Sequence, residues 1–266
     1  MQRHLTRLAQ DTPRLPRKGP TPANRVARAI PMRRIPWDER EPGHFEVDLV
    51  HHSGPSTAGE YLHTLQLIDV ATGWSERVAV LGRSYRHMAA GFWRILQRLP
   101  VAVREFHPDN GPEFLNDHLV RFWGDSVPGL ALSRSRPYHK NDNRFVEQKN
   151  ATLVRAYFGA ARLDTPAQGA ALNALYERMG LYYNLFQPVL HLVEKTAQGT
   201  RVRRRWDIAQ TPSERLAATP ALPLAARATL DALYQTTNPR ALRREIHARI
   251  DALLHPRPGA ATEPAA

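Results

Sequence analysis

The chain has 266 residues, 37 Lys and Arg against 25 Asp and Glu, a net charge of +12 and no cysteine. That length suits one large domain with a smaller appendage. The missing thiols exclude disulfides and thiolate zinc sites, and no apolar run approaches the ~20 residues of a membrane span. The expectation is a cytoplasmic protein whose basic surplus favours a polyanion, nucleic acid foremost.

Residues 1–40 read as a basic, Pro-rich arm. Nine Lys and Arg precede residue 35 against the single acid Asp11, and five prolines between Pro13 and Pro31 argue against a stable helix. From His44 the pattern turns strand-like, with Phe45, Val47 and Leu49 alternating with Glu46, Asp48 and Val50. Two further runs, Tyr61 to Val70 and Trp74 to Leu81, complete an antiparallel meander around the turn Ala71-Thr72-Gly73. Helical spacing follows over Tyr85 to Leu99, then a short strand from Val101 to Phe106, a helix from Glu113 to Trp123 and a strand from Leu130 to Ser133. Helices are predicted over Asn143 to Phe158 and Ala167 to Phe186.

After Pro188 the character changes. Arg201 to Trp206 is a basic run ending in an aromatic residue, and Thr211-Pro212-Ser213-Glu214 carries the signature of a helix start. Pro239 to Leu254 is amphipathic, with Leu242, Ile246, Ile250 and Leu253 on one side. The predicted organisation is an arm (1–40), a catalytic core (41–192), a basic region for DNA binding or assembly (193–256) and a disordered tail (257–266).

Three acids stand in contexts that suit a metal ligand. Asp48 interrupts an apolar strand, where Asp is disfavoured. Asp109 follows a strand and opens the Asp-Asn-Gly turn, at the sheet edge where α/β proteins place ligands. Glu147 lies one turn into a helix and shares a face with Asn143 and Asn150 at helical spacing. Brought together, three carboxylates form an oxygen-only site of the kind preferred by Mg²⁺ or Mn²⁺, and a pair of such ions cuts and rejoins phosphodiesters. Asp69 is explained by its turn, and Glu46, two residues from Asp48, is expected to support the site from behind. The 12 histidines do not fall at finger-like spacing, so no structural zinc is expected.

The Asp48 strand, HPDNGPEF around Asp109 and SRSRPYHKNDNRFVEQKN leading to Glu147 resemble the catalytic core of retroviral-type integrases and of Asp-Asp-Glu transposases from bacterial insertion sequences. The later YYNLFQPVLHLVEKT and TPSERL extend the likeness over about residues 40–220. The resemblance implies a ribonuclease H-like α/β fold, a mixed five-stranded sheet flanked by helices, with a small, mostly helical C-terminal extension. It implies a triad of Asp48, Asp109 and Glu147 holding two Mg²⁺ or Mn²⁺ ions for DNA cleavage and strand transfer during transposition. The expected partners are transposon ends and target DNA, with a homo-oligomer in the synaptic complex and no membrane. The interval from Asp109 to Glu147 is slightly longer than usual, and Arg144 replaces the more usual small residue.

Lys140, Asn143, Gln148, Lys149 and Arg155 are the expected DNA contacts around the triad, and Arg203, Arg204 and Arg205 a second phosphate-binding patch. Such transposases carry an end-recognising helix-turn-helix upstream, and residues 1–40 show none, so the expectation includes a truncated chain or one half of a split reading frame. The alternatives are a non-catalytic, DNA-binding remnant and a nuclease acting on RNA–DNA hybrids.

Overall fold

The computed structural model describes residues 25–137, 139–198 and 201–256. The first part of the basic arm and the Pro/Ala-rich tail from residue 257 lie outside the described residues. Five strands form one mixed sheet: β1 (His44–His51), β2 (Leu62–Asp69), β3 (Ser75–Leu81), β4 (Glu105–Pro108) and β5 (Ala131–Leu132), in the order β3-β2-β1-β4-β5. The first three are antiparallel, while β4 runs parallel to β1 and β5 parallel to β4.

Strand alternation sorts β1 between two cores. Phe45, Val47 and Leu49 enter one with Leu65, Leu67, Val78 and Val80, covered by α2 (Tyr85–Leu96) and α3 (Asp117–Ser126) through Phe92 and Trp123. A large apolar side chain fully buried this way contributes about 1.5–3 kcal/mol. The opposite face is covered by the Glu147 helix and by α6, described next, through Leu153, Val154, Tyr176 and Met179. That face also carries a polar row, because Asp48 pairs with Gln66 and Gln66 with Arg77.

The arm is more structured than its prolines suggest. Between Pro22 and Pro31 there is room for a short helix, α1 (Arg25–Ala29), and Ile30 and Ile35 are buried. Arg134 holds this segment through Nε bonds to the Ala27 and Ile30 carbonyls at 2.7 and 3.1 Å. The strand expected from Val101 is shifted to Glu105–Pro108, and α3 starts later than expected because Asn116 caps it, accepting from Leu119 N at 2.9 Å. The helix expected over 143–158 is three joined pieces: α4 (Arg144–Lys149), a π turn (Asn150–Arg155) and α5 (Ala156–Phe158), preceded by a 3₁₀ turn at Lys140–Asn143. Then comes α6 (Pro166–Leu185), started by a Thr165–Gln168 capping box.

The C-terminal part is mostly helical, as expected, and carries a two-stranded hairpin ahead of its helices. The Arg-rich run is a strand, β7 (Arg201–Trp206), paired antiparallel with β6 (Leu192–Gln198). Helices α7 (Pro212–Ala217), α8 (Leu224–Thr236) and α9 (Pro239–Leu254) follow, and Thr211 and Glu214 form the predicted capping box. Leu242, Ile246 and Ile250 of α9 join the second core beside α6. No helix among the described residues is long and apolar enough to cross a membrane.

The outer edge of β3 is occupied by side chains. Asn173 of α6 bonds Ala79 N and O at 2.9 and 3.1 Å, and Asn184, three turns on, bonds Ser75 N and O, both at 3.0 Å. Arg98 donates to the Arg77 carbonyl between them at 2.6 Å.

Candidate active site

Parallel pairing of β1 and β4 puts Val47 opposite Pro108, so Asp48 and Asp109 both follow paired residues on neighbouring strands. Asp109 Oδ1 accepts from Gly111 N at 2.8 Å, the Asx turn that Asp-Asn-Gly encodes. Asn110 anchors the turn, donating to the Ser135 carbonyl at 2.8 Å and accepting from Arg134 Nη1 at 2.6 Å.

Glu147 is brought to β1 by a buried carboxylate. Glu46 Oε2 accepts from Phe145 N at 2.7 Å and Val146 N at 2.9 Å, filling otherwise orphaned donors at the start of α4. Val146 buries completely beneath the helix, leaving Glu147 exposed. Just before α4, Arg136 grips Asp142 with two guanidinium bonds of 2.8 Å and a backbone bond of 3.0 Å.

Asp48 is the best-fixed member. Its Oδ1 accepts from Leu49 N at 2.8 Å and its Oδ2 from Asn150 Nδ2 at 2.6 Å. Burial pushes its carboxyl up to about 7, with Leu49 N opposing; the charges of Asp109 and Glu147 push further in the same direction and Arg155 opposes. Asp109, Glu147 and Arg155 thus all act electrostatically on Asp48. Burial likewise raises Asp109, against the pull of Gly111 N. As the side chains stand, no group of three or more His, Cys, Asp or Glu that could hold a metal ion occurs among the described residues. Glu147 makes no ion pair there and lies on the exposed side of α4.

The other expected contacts divide. Gln148 and Arg155 are exposed, Lys149 is half-buried, and Arg203, Arg204 and Arg205 are exposed on β7, where Arg205 pairs with Glu194 at 3.0 Å. The Lys140 side chain lies outside the described residues. Asn143 is a correction: it is buried, not on a shared exposed face with Glu147. It precedes α4 with non-helical backbone angles, so helical spacing does not extend to it. Asn150, expected on that same face, is buried against Asp48. Asp69 has the turn role expected of it, accepting from Gly43 N at 2.7 Å and from Thr72 N and Oγ1 at 2.9 and 2.6 Å.

Sheet order, strand directions and flanking helices together define a ribonuclease H-like fold of the integrase-core type. No known protein-family profile matches the chain. It is 41% identical over 182 residues to an uncharacterized protein, y4rM, of Sinorhizobium fredii, a match covering 68% of this chain and 51% of that protein. The chain thus spans about half the length of that curated relative. Among solved structures, the catalytic core domain of BIV integrase is similar at 17% identity and a TM-score of 0.41, covering 65% of this chain and 91% of that one.

Proposed function

We propose that the chain is a metal-dependent DNA strand-transferase of the transposase and integrase type. What supports this reading is that Asp48 and Asp109 follow paired residues of adjoining strands, and that Glu46 ties the helix carrying Glu147 to β1. The donor chemistry fits a hard divalent ion: all three are oxygen ligands, and the charges of Asp109 and Glu147 act on Asp48. Asp48, Asp109 and Glu147 would hold Mg²⁺ or Mn²⁺, as two ions, which when bound supply activation of a water and stabilisation of the departing 3′ oxygen.

The chain's own residues do the positioning. Asn150 fixes one oxygen of Asp48, Gly111 N orients Asp109, and Glu46 sets the start of the Glu147 helix. Arg155, which acts on Asp48, and Gln148 and Lys149 on the same helical segment are polar and positive groups that suit phosphates. The strand transfer uses no covalent protein–DNA link: water frees a 3′ hydroxyl, which then attacks a second duplex. Transposon ends and target DNA are the proposed substrates, brought together by a homo-oligomer.

The test is Mn²⁺-dependent nicking and joining of plasmid DNA and of duplexes drawn from the DNA flanking the gene, with wild type beside Asp109→Asn and Glu147→Gln. Activity confined to wild type, with DNA binding kept by the variants, is the expected result. Near-normal strand transfer by Glu147→Gln would remove Glu147 from the site. Binding without nicking in wild type would favour the non-catalytic remnant, and preferential cutting of RNA–DNA hybrids the nuclease.

A further inference from the structure

The face of α4 carrying Arg144, Phe145, Gln148 and Lys149 lines a cleft of about 590 Å³, with the β6–β7 hairpin on its far side. Its wall is apolar, built from Ile68, Val70, Phe145 and Val189. Arg144, Lys149 and Arg204 reach into it, and a hollow of about 420 Å³ that shares Arg144 and Arg204 adds Arg34 and Lys195. Among the described residues no acidic side chain lines either one, although Glu46, Asp142 and Asp38 act on Arg144 from outside. Five cations along these two hollows complement a polyanion.

Two indoles complete the cleft. Trp37 comes from the end of the arm and Trp206 from the last position of β7, where half of its surface is exposed. The Arg144 guanidinium lies over the Phe145 ring at 4.4 Å, and its Nη2 is buried with no hydrogen-bond partner among the described residues.

A duplex would use only half of these features. Its bases are stacked inside and it offers phosphates alone to an outer surface, which leaves indoles and an apolar wall idle. An unpaired strand offers both the phosphate and the π face of the base, the combination that basic grooves with aromatic platforms recognise. We propose that this cleft binds single-stranded DNA, its bases against Trp206 and Trp37 and its phosphates on Arg144, Arg204 and Lys195. The choice of DNA rests on the strand-transferase reading; the cleft's chemistry does not depend on the triad.

The experiment is fluorescence anisotropy of a labelled oligothymidylate of about 10 nucleotides with the full chain in EDTA, with duplex DNA and oligouridylate as competitors. The expected result is preference for the single strand over duplex. Trp206→Ala should weaken single-strand binding about ten-fold while duplex binding stays within two-fold, and Trp206→Phe should restore most of it. Arg144→Ala with Arg204→Ala should weaken binding and reduce its salt dependence. Circular dichroism melting of each variant checks the fold. Wild-type binding by Trp206→Ala, equal losses for single strand and duplex, or preference for oligouridylate would each overturn the proposal. Asp109→Asn should bind oligothymidylate as wild type does, so a failed nicking assay with intact strand binding removes the strand-transferase reading alone.

Discussion

Asn150 Nδ2 lies 2.6 Å from Asp48 Oδ2, a bond joining the first residue of the π turn to the middle of β1. The wider π turn adds a residue to the helix, and such turns concentrate at functional sites. It accompanies a helix that turns Asn150 in toward the sheet while Arg155, at the end of the same turn, acts electrostatically on Asp48. A hydrogen bond to a charged group contributes about 1.5–3 kcal/mol. Asn150→Ala should therefore cut nicking about 10- to 100-fold, mostly in kcat, with DNA affinity nearly unchanged. Single-turnover kinetics on pre-bound DNA makes the check, and an effect in KM alone would mean that Asn150 serves substrate binding instead.

The Asp109 turn has little room. A methyl on Gly111 would come within 2.9 Å of Asp109 Oδ1 and 2.8 Å of Glu113 Oε1. Glu113 ends a flexible side chain and swings aside, but Asp109 is held by the very amide that Gly111 contributes. Gly111→Ala is expected to shift the carboxylate and lower activity about 100-fold, the scale of a 1 Å misplacement. Its melting temperature should stay close to wild type, because the turn is at the surface.

Glu46 predicts how stability varies with pH. Its burial raises the carboxyl from the ordinary 4.5 to about 8, despite the two amides of α4 that favour the charged form. The folded state therefore holds a proton that the unfolded state has released between these values, and stability falls as pH rises through the window. Asp48, raised to about 7, adds to the same slope. Metal-free protein should show a melting temperature that declines from about pH 4.5 to pH 8, with a shallower decline in Glu46→Gln. An equal slope in wild type and variant would show that Glu46 is not the group responsible.

Asp142 behaves in the opposite sense. The Arg136 hydrogen bonds hold its carboxyl down at about 2, so the pairing is complete above the ordinary 3.8 and is lost only as pH falls through about 2. The pair staples the segment that leads into α4. Asp142→Asn should increase limited proteolysis between residues 134 and 146 several-fold at pH 7, with a small change in global stability because Arg136 is half exposed.

Much of this architecture is legible in local sequence. Alternation marked β1, runs bounded by the Ala71-Thr72-Gly73 turn marked β2 and β3, and Asp-Asn-Gly placed Asp109 because that tripeptide makes its turn unaided. Thr211 to Glu214 announced α7 for the same local reason. Elsewhere the outcome depended on distant partners. The Arg-rich strand β7 hid its alternation because nearly every position is charged, and only its pairing with β6 makes it a strand. Nothing local marks the π turn, which exists where a helix must reach Asp48. Glu46 as the anchor of α4 required residues 46 and 146 to meet, and the two-indole cleft required Trp37 and Trp206 to meet.

The side-chain bonds along β3 also limit how copies of this chain assemble. An open strand is a template on which another chain lays its own backbone, and sheets grow into continuous arrays that way. Here Asn173, Arg98 and Asn184 already hold the outward groups of Ala79, Arg77 and Ser75. A second copy arriving at that border finds no ladder to continue. A contact between copies at that border has to pair side-chain surfaces rather than backbones.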